Sequence, residues 1–214
     1  MSLLRPLALC GALLLGPAAQ AGRPLLIEDA GVNEPGSGHV EAWFERTADG
    51  NRVWTVSPAY APLPQLEIAA ALAHAGQAPH TLGRLQVKWQ INPPQDERCF
   101  HALVLAAAHE RRPSASSQAF NAVMSCPIGP GALHLNAGAN WSAQGRAAPF
   151  VGVAWEQPLG PVTAHIEWLA ARRARPVFNL GLRTTLTAGG LQLDGSIGRS
   201  GGRTLFSVGI KQPF

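Results

Sequence analysis

Counting back by twos from Phe214 gives Gln212, Ile210, Val208, Phe206 and Thr204, and the other parity gives Pro213, Lys211, Gly209, Ser207 and Leu205. One face is mainly apolar and the other small or polar, the period-two signature of a strand between two different environments. The pattern recurs through the chain. Phe178, Leu180, Leu182, Thr184 and Leu186 oppose Asn179, Gly181, Arg183 and Thr185, and Val162, Ala164, Ile166, Trp168 and Ala170 oppose Thr163, His165, Glu167 and Leu169. Leu133, Leu135, Ala137, Ala139 and Trp141 oppose His134, Asn136, Gly138 and Asn140, and Leu85, Val87, Trp89 and Ile91 oppose Arg84, Gln86, Lys88, Gln90 and Asn92. The polar face of a soluble sandwich would carry many more charges. Here charged residues are 14% of the chain, against about 25% in an average soluble protein. Segments of about ten residues, apolar on one parity, predict an all-β fold: a transmembrane antiparallel β-barrel.

Turn residues divide the chain into strands. With 23 Gly and 18 Pro, breaks are frequent, and strands are expected at 39–46, 51–60, 65–74, 82–92, 98–109, 117–126, 131–141, 149–157, 161–171, 176–187, 190–198 and 203–214. Twelve is an even number, which brings both ends of the barrel sheet to one rim. Connections after even strands hold Pro62-Leu63-Pro64, Pro93-Pro94, Pro127-Ile128-Gly129-Pro130, Pro158-Leu159-Gly160-Pro161 and Ala188-Gly189, which is compact turn chemistry. Several connections after odd strands are richer in Arg and Ser and are expected to face outside. Trp54, Trp141, Trp168 and Phe178 are expected near the outer ends of their strands, and Trp89, Phe100, Trp155 and Phe214 near the inner ends, as two interfacial belts.

The first residues read as an export signal. Arg5 precedes the apolar run Leu7 to Leu15, and Ala19-Gln20-Ala21 has the form of a cleavage site, so cleavage is expected after Ala21. Cys10 would leave with this segment. No later apolar run approaches the eighteen or more residues of a membrane helix. The expected organisation is a signal peptide at 1–21, a periplasmic N-terminal segment at 22–38 and an outer-membrane barrel at 39–214. Seventeen Lys and Arg against thirteen Asp and Glu give +4, or +3 without Arg5, too small an excess to argue for a nucleic-acid partner.

The polar parity defines the candidate lumen: Glu41, Glu67, Arg84, Lys88, Glu156, Glu167, Arg183, Asp194 and Lys211, with His134, His165, Asn136, Asn140 and Gln192. Five carboxylates face four permanent cations, which must pair or stay hydrated because unpaired buried charge is costly. Eight strands are filled by side chains and sixteen leave an aqueous channel, so twelve allows either a constricted conduit or a filled barrel. The seven histidines are scattered, with none at i, i+2 on one strand face, so no metal site is expected. His39, His101, His134 and His165 each lack a Ser two positions away on their own strand face, so neither catalytic machinery nor a cofactor is expected. Cys99 and Cys126 fall on neighbouring strands at one rim. A disulfide is chemically allowed in an oxidising compartment, although parity counted from Phe100 and Phe120 sets the two on opposite faces.

Phe214, an aromatic residue that closes an exported strand, resembles the signal that the outer-membrane barrel assembly machinery recognises. The stretch Arg23-Pro24-Leu25-Leu26-Ile27-Glu28-Asp29-Ala30-Gly31-Val32, then Gly36-Ser37-Gly38 and His39-Val40-Glu41-Ala42, resembles the start of the outer-membrane family labelled "MetA-pathway of phenol degradation", which opens with R-P-L-x-x-D-D-A-G. Glu28 replaces the first Asp of that pattern. Pro58-Ala59-Tyr60-Ala61 with Leu66-Glu67-Ile68, Leu133 to Gly138 and Asn179 to Gly195 resemble later strands of the family. The resemblance implies a transporter-like barrel in outer-membrane lipid that passes small solutes, with aromatic compounds suggested by the family label. The competing expectations are a non-conducting structural or envelope-interaction barrel and a soluble periplasmic sandwich.

Overall fold

The computed structural model describes residues 26–76, 80–94, 98–111, 114–142, 145 and 147–214. The expected signal peptide lies outside the described residues. Twelve strands follow in order: β1 (Gly38–Arg46), β2 (Arg52–Leu63), β3 (Leu66–Ala75), β4 (His80–Gln90), β5 (Phe100–Arg111), β6 (Ser114–Ile128), β7 (Gly131–Ser142), β8 (Ala147–Leu159), β9 (Val162–Ala171), β10 (Val177–Thr185), β11 (Gln192–Ser200) and β12 (Arg203–Pro213). Each pairs antiparallel with its chain neighbours and β12 pairs with β1, which closes the barrel. Closure leaves no unpaired sheet edge, the condition for crossing lipid with strands. The strands match the expected twelve, with shifted ends. β10 stops at Thr185 rather than 187 and β11 runs from Gln192 rather than 190, because Gly190 takes φ 81° in a wider turn.

Burial inverts the rule of a soluble protein. Leu72, Leu85, Leu105, Leu182 and Ile197 are more than half exposed on the outside, whereas Glu41, Glu67, Lys88, Asn121, His165, Glu167, Asn179 and Asp194 are 5% exposed or less on the inside. An apolar exterior around a polar interior is the distribution that a bilayer imposes. Trp54, Trp89, Trp168, Phe178 and Phe214 are exposed on the outer surface, as the belts require.

Three expectations change. Phe100 does not join the inner belt: it stands opposite Ser125, which is 1% exposed, and packs inward with Ala30, Ala102, Val104 and Val123. This corrects the cysteine parity as well. Continuing the register from Phe100–Ser125 places Cys99 beside Cys126 on one face, and the two form a disulfide with Cα atoms 4.1 Å apart. The third change concerns the segment before β1, expected in the periplasm. Over residues 26–33 it lies within the barrel: Leu26, Ile27, Glu28 and Ala30 are 7%, 2%, 0% and 0% exposed.

Candidate functional site

The lumen and the segment inside it form one polar construction. The segment is not a helix or strand, so its backbone groups find no partners within an element and must be met by the barrel wall. Asn136 brackets the Glu28 peptide: its Oδ1 accepts from Glu28 N at 3.1 Å and its Nδ2 donates to Glu28 O at 2.8 Å. Ser125 Oγ accepts from Ala30 N at 2.8 Å, and Gln90 Nε2 donates to Ala30 O at 3.0 Å. Glu167 Oε2 accepts from Ile27 N at 3.0 Å and also from Leu26 N. Nearer β1, Glu67 Oε2 accepts from Asn33 N at 3.0 Å and Asn33 Nδ2 at 2.7 Å. Asp29 Oδ1 accepts from Gly31 N at 2.6 Å, an Asx turn that bends the chain. The partners come from β3, β4, β6, β7 and β9, so the segment crosses the lumen from one wall to the other.

Lys88 is the electrostatic centre of this contact. Its Nζ lies 3.0 Å from Glu28 Oε2 and donates to the Asp29 carbonyl at 3.1 Å and the Gly31 carbonyl at 3.2 Å. An ammonium carries three protons and no acceptor, so three oxygens on one turn of chain satisfy it. Gln86 Nε2 donates to the other Glu28 oxygen at 3.2 Å.

Apolar contacts seat the far end. Ile27 enters a pocket of Phe150, Ala154 and Leu169. Gly152 opens that pocket, since a Cβ there would lie 2.2 Å from Ile27 Cδ1. Burying a side chain of this size contributes about 1.5–3 kcal/mol.

The other sequence-predicted lumen residues are placed as follows. Arg183 Nη2 meets Glu156 Oε2 at 3.0 Å, and Lys211 Nζ lies 3.4 Å from Glu41 Oε1. His165 Nε2 is 3.6 Å from Glu167 Oε1, and Gly181 leaves room for its ring. Asn179 Nδ2 donates to the same Glu167 oxygen at 2.9 Å. Asp194 stands opposite Arg183 across β10 and β11, and Gln192 stands opposite Lys211. Arg84 donates to Gln86, and Asn140 lies on the inward parity of β7, half-buried. His134 Nδ1 is 2.8 Å from Ser125 Oγ. That Ser oxygen also accepts from Ala30 N, so it joins the histidine to the segment, and His134 Nε2 faces Glu156 Oε2 at 3.9 Å. No Ser shares a strand face with His134 at a spacing of two. The partner here is across the β6–β7 pair, and its hydroxyl is committed to the segment. Glu28, Asn33, Gln86, Gln90, Ser125, Asn121 and Asn179 are site residues that the sequence pattern does not single out. The motif around Glu28 was the one available signal.

Depth divides the interior into two halves. Around residues 26–33 long polar side chains and the segment fill the space, and most inward residues are 5% exposed or less. Toward the rim formed by the connections after odd strands, the lining becomes small and half-buried: Ala71 and Ala73 on β3, Ala106 and Ala108 on β5, and Ala148 on β8. Leu82, Val53, Val177 and Leu205 share that inward parity. Glu45 of β1, Glu110 of β5 and Ser117 of β6 share it too, so this half is a vestibule of small and apolar side chains with scattered charged and polar groups, Arg84, Gln86 and Asn140 lying deepest.

No family model matches the chain, and no curated protein matches it. Solved structures do. The KdgM porin in complex with disordered oligogalacturonate superposes with a TM-score of 0.69 at 8% identity, covering 83% of this chain and 99% of that one. The COG4313 outer membrane channel from Pseudomonas putida F1 gives 0.58 at 9% identity, covering 87% and 98%. The Acinetobacter baumannii outer membrane protein Omp33 gives 0.56 at 8%, covering 83% and 97%. At these identities the likeness is one of fold, and the fold of this chain is that of a twelve-stranded outer-membrane β-barrel.

Proposed function

We propose that the protein is an outer-membrane channel for small solutes, aromatic compounds among them, and that residues 26–33 hold it shut in the state described above. The observation that carries this reading is the division of the lumen. A vestibule lined by small and apolar side chains with a few charged and polar groups is the chemistry that admits small, weakly polar molecules. Beneath it lies a single irregular segment held by hydrogen bonds, the Lys88–Glu28 pair and the Ile27 pocket, none of which belongs to the strand pairing. Export fits the same picture: cleavage after Ala21 would leave residues 22–25 ahead of Leu26. The residues that resemble the phenol-degradation family at its mature start are the ones that enter the lumen. That the segment is the motif-bearing part supports a shared use of it, and aromatic solutes follow from the family label.

A second reading has its own support. Because the inner half of the lumen is filled, a non-conducting structural barrel is also consistent with this packing. Reconstitution separates the two. The full chain should give little conductance in planar bilayers, and a variant lacking residues 24–33 should give stable open steps and faster liposome swelling. A folded deletion variant that conducts nothing would establish the structural reading instead.

A further inference from the structure

Where the apolar band of the outer surface ends, guanidinium groups replace it. Arg46, the last residue of β1, stands directly opposite Arg52, the first of β2, and on its other side opposite Phe206 of β12. Both arginines are exposed. Like charges directly opposite on antiparallel strands repel. The carboxylate of the intervening loop does not serve them: Asp49 accepts from Thr47 and, at 2.8 Å, from Asn51 Nδ2. Glu45 has the opposite, inward parity.

One step toward the membrane, Phe44 packs with its ring 4.8 Å from Trp54 and 5.9 Å from Phe206, an aromatic cluster under the arginine pair. Two strands along, Arg199 of β11 is exposed opposite Phe178 and Thr204, and its guanidinium donates to the Gly202 carbonyl at 3.2 Å. That bond steadies the side chain without neutralising it. By contrast, the ion pairs of Lys88, Arg183 and Lys211 all lie in the interior.

We propose that this sector, β11–β12–β1–β2, is a binding site for the phosphorylated headgroup of an outer-leaflet glycolipid. The proposal rests on the outer-membrane reading with this rim facing outward. Arg46 and Arg52 come from strands about 5 Å apart, close enough to clamp one phosphate, whose charge removes their mutual repulsion. Guanidinium groups suit this task because their planar fork matches phosphate oxygens. Arg199 reaches a second phosphate on the same headgroup. The Phe44–Trp54–Phe206 cluster lies where the acyl chains begin, the depth at which aromatic side chains are favoured.

The test is native mass spectrometry of the folded, detergent-solubilised barrel with diphosphorylated lipid A, the same lipid stripped of phosphate, and phosphatidylglycerol. The diphosphorylated lipid should be retained and the stripped lipid lost. The Arg46→Gln/Arg52→Gln/Arg199→Gln variant should bind about a hundredfold more weakly, taking each basic residue near a charged lipid surface at its usual strength. Arg98→Gln, at the opposite rim, should change nothing. Heat-modifiable gel mobility verifies that each variant is folded, and if the triple variant is not, Arg46→Gln/Arg52→Gln carries the same test. Equal retention of the stripped lipid, equal retention of phosphatidylglycerol, or unchanged binding by the folded variants would overturn the proposal. A wild-type barrel that failed to insert into bilayers would instead remove the outer-membrane reading beneath it.

Discussion

Lys88 Nζ lies 3.0 Å from the Glu28 carboxylate while donating to the carbonyls of Asp29 and Gly31, so one ammonium on β4 gathers the turn of the segment that fills the lumen. Removing one member of a buried pair leaves an uncompensated charge and costs about 3–5 kcal/mol. Lys88→Met should therefore shift the segment out of the lumen by about a hundredfold or more in population. A cysteine at Ile27 should report this as faster labelling by a membrane-impermeant maleimide. Adding Glu28→Gln should recover part of the closed state, since it removes the stranded charge. Equal labelling in Lys88→Met and the parent would show that the pair does not hold the segment.

Gly152 tests the same contact from the apolar end. A Cβ at this position would meet Ile27 Cδ1 at 2.2 Å, so Gly152→Val should unseat Ile27 and raise conductance. Ile27→Ala combined with Gly152→Val should lower it again, because the smaller side chain frees the space. Additive effects in single-channel recordings would mean that the two residues do not share a pocket.

Much of the barrel could be read from the sequence, and the reasons are local. On β4, β7, β9, β10 and β12 bulky apolar residues alternate with polar ones, so each residue reports its own face. That signal fails on β5, where Ala102-Leu103-Val104-Leu105-Ala106-Ala107-Ala108 is apolar on both parities. There the inward face is the wall of the vestibule and the bed for Ala30. Phe100 departs from the belt for the same reason: the lumen is apolar around Ala30, so an aromatic side chain can face inward there. The inserted segment could not be located at all. It has no periodicity, and its partners Ser125, Asn136 and Glu167 lie 95 to 141 positions away in sequence.

The bond between Cys99 and Cys126 ties the start of β5 to the end of β6 across 27 positions. Cross-linking a loop of that length stabilises by about 3–4 kcal/mol in the chain-entropy description. Replacing both cysteines with Ser should lower the temperature at which the folded band converts on a heat-modifiability gel. The parent treated with reductant while unfolded should then match the variant. No change in that temperature would show that the bond adds nothing to the β-sheet that surrounds it.

The seam has its own lock. Gly38 and Phe214 exchange both backbone hydrogen bonds at 2.9 Å, and a Cβ on Gly38 would meet the Phe214 ring at 2.7 Å and Ala59 O at 2.3 Å. Gly38→Val should open this corner and reduce the folded fraction. Deleting Phe214 removes the same pair of bonds and, if the residue is also read by the assembly machinery, should lower the yield in cells more than refolding in detergent. Equal losses in the two settings would confine its role to the seam.

The interior charges predict ion preference once the segment is gone. Glu41, Glu45, Glu67, Glu110, Glu156, Glu167 and Asp194 have inward parity against Arg84, Lys88, Arg183 and Lys211, which leaves a formal balance of 4 − 7, or −3. A passage in low-dielectric surroundings feels such fixed charges strongly, so the variant lacking residues 24–33 should favour cations. Adding Arg183→Glu and Lys88→Glu changes the balance to 2 − 9, or −7. The reversal potential in a salt gradient should then move well toward the cation limit. Leu182 and Val87 are exposed on the outer face of the same strands, so Leu182→Ile and Val87→Ile should leave selectivity alone. An unchanged reversal potential in the charge-reversed variant would place the conducting path away from Arg183 and Lys88.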